Sequence, residues 1–334
     1  MLVDAAVKWL KRSGVLRYVP RSVKEPGRRF LARWAAGGDR LVPALIGRRA
    51  SFSCPICDRG AGRIIAEVAG HTYALCSGCG SISIERETIE RLDAGGSLVE
   101  YDQGYWANEL PAARERAFGH ALARMSEAIH YARVPISRFL DVGSGPGFFL
   151  DAVARYLPSR KEHFFGVEKF PPPPEQRTSS PNFFVGDVAD LAFRVDGGIC
   201  IEVAEHLTPK TLRGLLAALA KVSTPGALFV FNSGMPEYVL KDDLAYLDPK
   251  QRGHIVSYSL DAVRLLSREL GFTVLPIRGK TWAYVLEFQS SARANEDVRS
   301  RIWSAKPENL ELLTDPEMGS VLRILGLETA RAYQ

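Results

Sequence analysis

The run RFLDVGSGPGFFLDAVARYL, residues 138–157, constrains what this 334-residue chain can fold into more than any other stretch. A short apolar segment leads into a glycine-rich turn. A helical repeat follows, with Phe148, Phe149, Val153 and Leu157 on its apolar side, and it ends before Pro158. A strand, a glycine turn and a helix in that order open a nucleotide-binding α/β unit. The glycines let backbone approach a ligand where a Cβ would collide, and the helix start aims free N–H groups at it. The pattern alone is weak, so its neighbours decide what it binds.

Three neighbouring details sharpen the reading. The loop is GxGxG, with Gly143, Gly145 and Gly147, rather than the dinucleotide GxGxxG. Asp141 stands just before it, and Glu168 ends the next apolar run, HFFGVEKF, twenty-one residues beyond Gly147. An acid at the end of a second strand is placed to accept hydrogen bonds from ribose hydroxyls. An acid at the head of the loop suits a ligand with an ammonium group and would repel a pyrophosphate. Together they favour S-adenosylmethionine over NAD.

The segments LDVGSGPG, VEKF, VGDV and ICIEVAEHL resemble, in order, the motifs of the class I S-adenosylmethionine-dependent methyltransferases, over about residues 101–290. The resemblance implies an α/β fold, a Rossmann-like seven-stranded methyltransferase sheet with helices on both faces. It also implies that the loop from Asp141 through Gly143, Ser144 and Gly145 to Gly147 cradles the methionine part, and that Glu168 binds the ribose. Asp187 would contact the adenine amino group with Val188 beside the ring, although an aspartate after Gly186 is also an ordinary turn-former. Glu202 joins the cofactor-binding set. With Glu205 and His206 it emerges at the carboxyl end of the fourth strand, GGICIEV, the edge where ligands sit in such sheets.

The remaining elements complete that architecture. TPKTLRGLLAALAKV reads as a helix capped by Thr208 with Pro209 in its first turn, and PGALFVFN as the fifth strand. SLDAVRLLSREL reads as a helix capped by Ser259 and stopped by Gly271, and FTVLPI with WAYVLEF as a closing hairpin. Residues 233–258 are too long for a simple connection and too polar for core, which is how acceptor-binding insertions look. Methyl transfer is an in-line displacement, so the protein supplies alignment and, for a hydroxyl acceptor, a base. His206 and His254 are the catalytic candidates, each open to a purely structural reading. Tyr105 and Trp106, ahead of a helix, either close over the cofactor or pack at a domain junction.

Four of the five cysteines form a second pattern: Cys54 and Cys57, eighteen intervening residues, then Cys76 and Cys79. That is zinc-ribbon spacing, in which two tight turns bring two thiolates each to one tetrahedral ion across a hairpin. GRIIAEVAGHTYAL supplies the hairpin, and neither CxxC opens a helix as a redox motif would. A structural Zn2+ is therefore expected, in a hairpin that walls or covers the acceptor site beside Tyr105 and His254. Cys200, alone in an apolar strand, reads as a buried inert thiol.

Charge divides the chain unevenly. Residues 1–50 hold twelve Lys or Arg against three acids, a balance of +9, so the remainder of a chain of net charge +5 carries −4. The acidic body argues against a broad nucleic-acid surface, and the ribbon, residues 51–80, has no net charge with which to grip phosphates. The basic segment fits either peripheral membrane contact through residues 1–40 or surface helices packing on the enzyme. No apolar run is long enough to span a bilayer and the N-terminus lacks a signal-peptide pattern, so the expected location is cytoplasmic.

The expected organisation is a basic helical arm (1–50), a zinc ribbon (51–85), a helical linker or lid (86–135), the methyltransferase core (136–290) and a C-terminal helical extension (291–334). The expected acceptor is a small molecule, a sugar nucleotide, glycan or related metabolite. Four-cysteine modules ahead of this core resemble those of bacterial sugar methyltransferases. The alternative is RNA, gripped by the ribbon and the arm.

Overall fold

Local sequence signals become β strands first. In the computed structural model, described for residues 49–50, 52–59, 61–100, 102–319 and 321–322, β1 (Arg49–Ala50), β2 (Gly62–Val68), β3 (His71–Cys76) and β4 (Ile82–Ile84) form an antiparallel sheet. The β2–β3 turn is made by Ala69 and Gly70, with φ of 53° and 81°, the doubly left-handed turn that matches strand twist. All but the last two residues of the expected basic arm lie outside the described residues.

After the ribbon come α1 (Arg86–Asp93) and α2 (Gln103–Arg116). Asp102 caps α2 by accepting from Tyr105 N at 2.8 Å. A five-residue π-helical turn, Ala117–Ala121, then runs into α3 (Leu122–Tyr131).

The large sheet is built from β5 (Phe139–Val142), β6 (Phe164–Glu168), β7 (Phe183–Val185), β8 (Val195–Ile201) and β9 (Ser223–Asn232), with α4 (Phe148–Tyr156) and α5 (Pro209–Val222) in the crossovers. Then follow α6 (Pro236–Lys241), β10 (Val256–Ser257), α7 (Leu260–Ser267), β11 (Phe272–Pro276), β12 (Ala283–Phe288) and α8 (Pro307–Glu311). The strand order is β11-β12-β9-β8-β5-β6-β7, with β12 antiparallel to both neighbours and β5 through β9 parallel. The chain steps outward from β5 to β6 and β7, then returns to the other side for β8 and β9. The loops after β5 and β8 therefore diverge, leaving a crevice at the carboxyl edge.

Alternation along each strand divides the core in two. Phe229 and Phe231 pack with Leu212, Leu216 and Leu219 of α5, while Leu228 and Val230 face Met125 and Ile129 of α3. Helices thus cover both faces, and the expected seven-stranded α/β architecture is observed. Thr208 and Ser259 cap α5 and α7 as their sequences indicate.

The ribbon is joined to this core by backbone. β10 pairs antiparallel with β4, Val256 opposite Ser83, so the fifth strand of the ribbon sheet comes from the 233–258 insertion. Ile84 N donates to Ile255 O at 2.9 Å, and Ile255 N donates to Glu205 O at 2.9 Å. Beyond β12, Arg301 is buried and makes a two-pronged pair with Glu287 (3.0 Å each), a bond to Glu296 (2.8 Å) and one to the carbonyl of Tyr131 (3.1 Å). Among the described residues no helix is long and apolar enough to cross a membrane.

Candidate functional site

The turn after β5 is shaped by its glycines. Gly143 and Gly147 have φ of 69° and 77°, and a Cβ would strike Val203 at the first and Thr178 and Phe183 at the second. Asp141, buried at the end of β5, accepts from Ser144 Oγ at 2.7 Å. Burial pushes its carboxyl up to about 7, against the Ser144 bond and with the Glu168 charge adding to the rise. Glu168 ties the loop to β6: its two oxygens accept from Gly145 N at 2.8 Å and Phe170 N at 2.9 Å. Burial raises this carboxyl too, opposed by those backbone bonds.

Asp187 caps a short 3-10 turn, Val188–Asp190, accepting from Ala189 N at 3.1 Å and pairing with Lys169 at 3.2 Å. The Ala189 bond, aided by Lys169, holds it below the usual carboxylate range. Asp187 is thus a turn-former by its hydrogen bonds and a cavity residue by its position.

At the end of β8 the backbone is strained. Glu202 has φ of 53°, a region that disfavours side chains, and its Oε1 accepts from Asn232 Nδ2 at 2.9 Å. Burial and the neighbouring Glu205 push Glu202 up to about 8. Glu205 is fully buried and accepts from the Tyr246 hydroxyl at 2.7 Å; burial holds it above the ordinary carboxylate range. His206 Nδ1 donates to the Gly253 carbonyl at 3.2 Å, and His254 Nδ1 to that of Tyr246 at 2.7 Å. The two rings meet edge to face with centroids 4.9 Å apart. Desolvation lowers both, His254 to about 2, so both imidazoles are neutral at pH 7.

These elements open on one cavity of about 1140 Å3. Asp141, Glu168, Asp187, Val188, Glu202, His206, Tyr105 and Trp106 all line it. The Trp106 indole N–H is buried without a hydrogen-bond partner, a polar atom that a ligand would satisfy. His254 is not in the lining: it is 6% exposed and stands behind His206. The Glu109–Arg116 ion pair of α2, Leu92 and the stretch from Gly96 to Val99 also line the cavity. Sequence reasoning missed these; for Glu109 and Arg116 the signal was position, on the helix that carries Tyr105 and Trp106.

The four ribbon cysteines converge. Cys54 and Cys79 sulfurs are 3.7 Å apart, Cys57 and Cys76 sulfurs 3.6 Å, and all four lie within 4.8 Å of one another. The edge of a tetrahedron with Zn–S arms of about 2.3 Å is about 3.8 Å, so the set fits one zinc ion. Backbone N–H groups of Ile56 and Gly78 point at the Cys54 and Cys76 sulfurs, at 3.4 and 3.2 Å, as they do around thiolates. Among the described residues, no ribbon residue lines the cavity. Instead Tyr73 donates to the His254 carbonyl at 2.6 Å, so the hairpin braces the site from behind.

The methyltransferase-domain family model matches residues 103–277, more than half of the chain, and the chain belongs to that family. With its strand order and glycine loop, it is a class I S-adenosylmethionine-dependent methyltransferase. Similar solved structures include the mitomycin 7-O-methyltransferase MmcR, 19% identical over 59% of this chain and 61% of that one (TM-score 0.39). DesVI of Streptomyces venezuelae is 15% identical over 56% and 98% (TM-score 0.40). CalS10, an amino pentose methyltransferase from Micromonospora echinaspora, is 17% identical over 56% and 98% (TM-score 0.38). The chain thus spans less than two thirds of the length of MmcR. No curated protein sequence matches it.

Proposed function

We propose that this methyltransferase acts on a small polar acceptor, a sugar nucleotide, glycan or related metabolite, and that a structural zinc ion holds its ribbon. One observation carries the acceptor reading: a single cavity joins the glycine loop to Glu202, His206 and the Glu109–Arg116 pair. Pockets for drug-sized ligands run to roughly 300–1,000 Å3, so this space suits a nucleoside-sized donor with a small partner beside it. S-adenosylmethionine, when bound, supplies a sulfonium methyl group with a good leaving group. Asp141, Ser144 and the loop would hold its amino-acid end, Glu168 its ribose, and Asp187 with Val188 its adenine. Tyr105 and Trp106 would exclude water above it, and His206 would meet the acceptor's reacting atom, with His254 holding His206 in place.

Labelled donor offered to fractionated small molecules, glycans and RNA tests the acceptor class. Label in small molecules or glycans is expected, whereas label confined to RNA would replace this reading with the ribbon-and-arm one. Replacing His206 by alanine is expected to lower kcat by roughly 10²–10⁴ while leaving affinity for S-adenosylhomocysteine within about twofold, since its hydrogen bond runs to Gly253 and away from the glycine loop.

The cofactor site also carries a pH dependence of known sign. Asp141, pushed up to about 7, is mostly protonated below that pH, and an ammonium group favours its ionised form. Binding therefore releases protons. Affinity for S-adenosylhomocysteine should rise by up to about tenfold per pH unit as pH increases toward 7, then level off. Calorimetry at pH 6 and pH 8 checks this, and Asp141→Asn should flatten the difference. Equal affinity at both pH values would remove Asp141 from the cofactor's ammonium.

A further inference from the structure

Beneath the acceptor end of the cavity lies a cluster that the reading above uses only in part. Glu205, His206 and His254 each offer one ligand-type atom, and these atoms lie within 4.8 Å of one another. Their outer hydrogen bonds fix what those atoms are. A carbonyl only accepts, so His206 Nδ1 on Gly253 and His254 Nδ1 on Tyr246 both carry hydrogen. Each neutral ring then presents a bare Nε2 lone pair. The remaining member is also an acceptor: Glu205 Oε1 already takes the Tyr246 hydroxyl, and Oε2 is buried with no N–H or hydroxyl donor on it among the described residues.

The three residues themselves therefore offer only acceptors to one another, and the one donor beside them is the Glu202 carboxyl, pushed up to about 8 and hydrogen-bonded to Glu205. His254 Nε2 stands 3.9 Å from Glu205 Oε1, too far for a hydrogen bond. Glu205 is 0% exposed and His254 6%, so water does not compensate in bulk. Backbone carbonyls that fix an imidazole by its far nitrogen are the arrangement that metal-binding histidines use. A carboxylate with two imidazoles is a mixed oxygen and nitrogen set suited to divalent transition ions, whose bonds of about 2.1 Å would need the three atoms to close by about an ångström. Glu202, three residues before Glu205, flanks the cluster on the cavity wall, and His206 itself reaches that wall.

We propose that Glu205, His206 and His254 bind a divalent transition-metal cation, separate from the four cysteines, at the acceptor end of the cavity. The cation would draw on the Glu205 carboxylate behind the His206 wall of the cavity and place a positive charge close to the bound acceptor. This rests on the methyl-transfer reading for its role but not for its existence. In it His206 is a metal ligand rather than a free base, and Tyr246 and the Gly253 carbonyl are positioning groups.

The test uses the full chain with its cysteines loaded with zinc, then dialysed and titrated with Co2+ alone or Mn2+ alone, without donor or acceptor. Expected is one further equivalent per chain, seen for Co2+ as weak visible bands lacking thiolate charge transfer. His254→Ala and Glu205→Gln should each weaken that uptake by at least about 100-fold, a loss no smaller than that caused by second-shell changes, while circular dichroism and the zinc content stay as in the wild type. Wild-type protein that takes up no Co2+ or Mn2+ at millimolar concentration overturns the proposal, as does uptake unchanged in both variants. Calorimetry with S-adenosylhomocysteine on the same samples reads the cofactor site separately, so the two readings fail independently.

Discussion

Replacing Cys54 by serine is expected to cost the protein its thiolate-bound zinc equivalent and, with it, most of its methyl transfer. The first effect follows from the ligand set, because three thiolates hold zinc far more weakly than four, and zinc binding is folding energy for so small a hairpin, roughly 10–16 kcal/mol in isolated fingers. The second follows from the seam. β4 is bonded to β10, Tyr73 to the His254 carbonyl, and Ser259 to the Cys79 carbonyl, so a ribbon that unfolds releases the segment holding His254. Metal analysis and hydrogen exchange at residues 254–257 read the two effects. Zinc content equal to that of the wild type would end the ribbon assignment, and unchanged exchange would show that the seam does not depend on it.

Arg301→Ala is expected to destabilise the chain by about 3–5 kcal/mol, lowering the melting temperature by roughly 10 °C. Its side chain is 4% exposed and satisfies both oxygens of Glu287, itself 1% exposed on β12. Removing the guanidinium leaves a buried carboxylate with the Ser290 hydroxyl but no cation beside it, which costs far more than the pair is worth against an apolar replacement. The double variant Arg301→Leu with Glu287→Leu should therefore regain most of the loss. Thermal melts decide it: a single variant as stable as the wild type would show that Glu287 finds another partner or water.

What could be read from the sequence was what is local. The glycine loop, the caps Thr208 and Ser259, the paired CxxC knuckles and the antiparallel closing strand each follow from residues within a few turns of one another. The pairing of Val256 with Ser83 is a different matter, since both strands are too short for periodicity to mark and only the folded core brings them together. His254 illustrates the same limit. Its placement in the insertion drew attention to it, but that it stands behind His206, fixed by the Tyr246 carbonyl, depends on a segment folding back over Glu205. Glu109 and Arg116 were invisible because a charged pair seven residues apart on a helix is the ordinary look of a solvated face, and here that face meets a cavity.

The π-helical turn Ala117–Ala121 has a consequence for how this scaffold can change. Each residue added to or taken from a continuous helix rotates everything beyond it by about 100°. α3 is locked to the sheet by Leu122, Met125 and Ile129, so the rotation falls on α2, which carries Trp106, Glu109 and Arg116 around the cavity. The extra residue of the π turn works as an angular setting between an immovable helix and a steerable one. A lineage could re-aim its acceptor wall through a one-residue insertion or deletion there, leaving the cofactor loop and the sheet untouched.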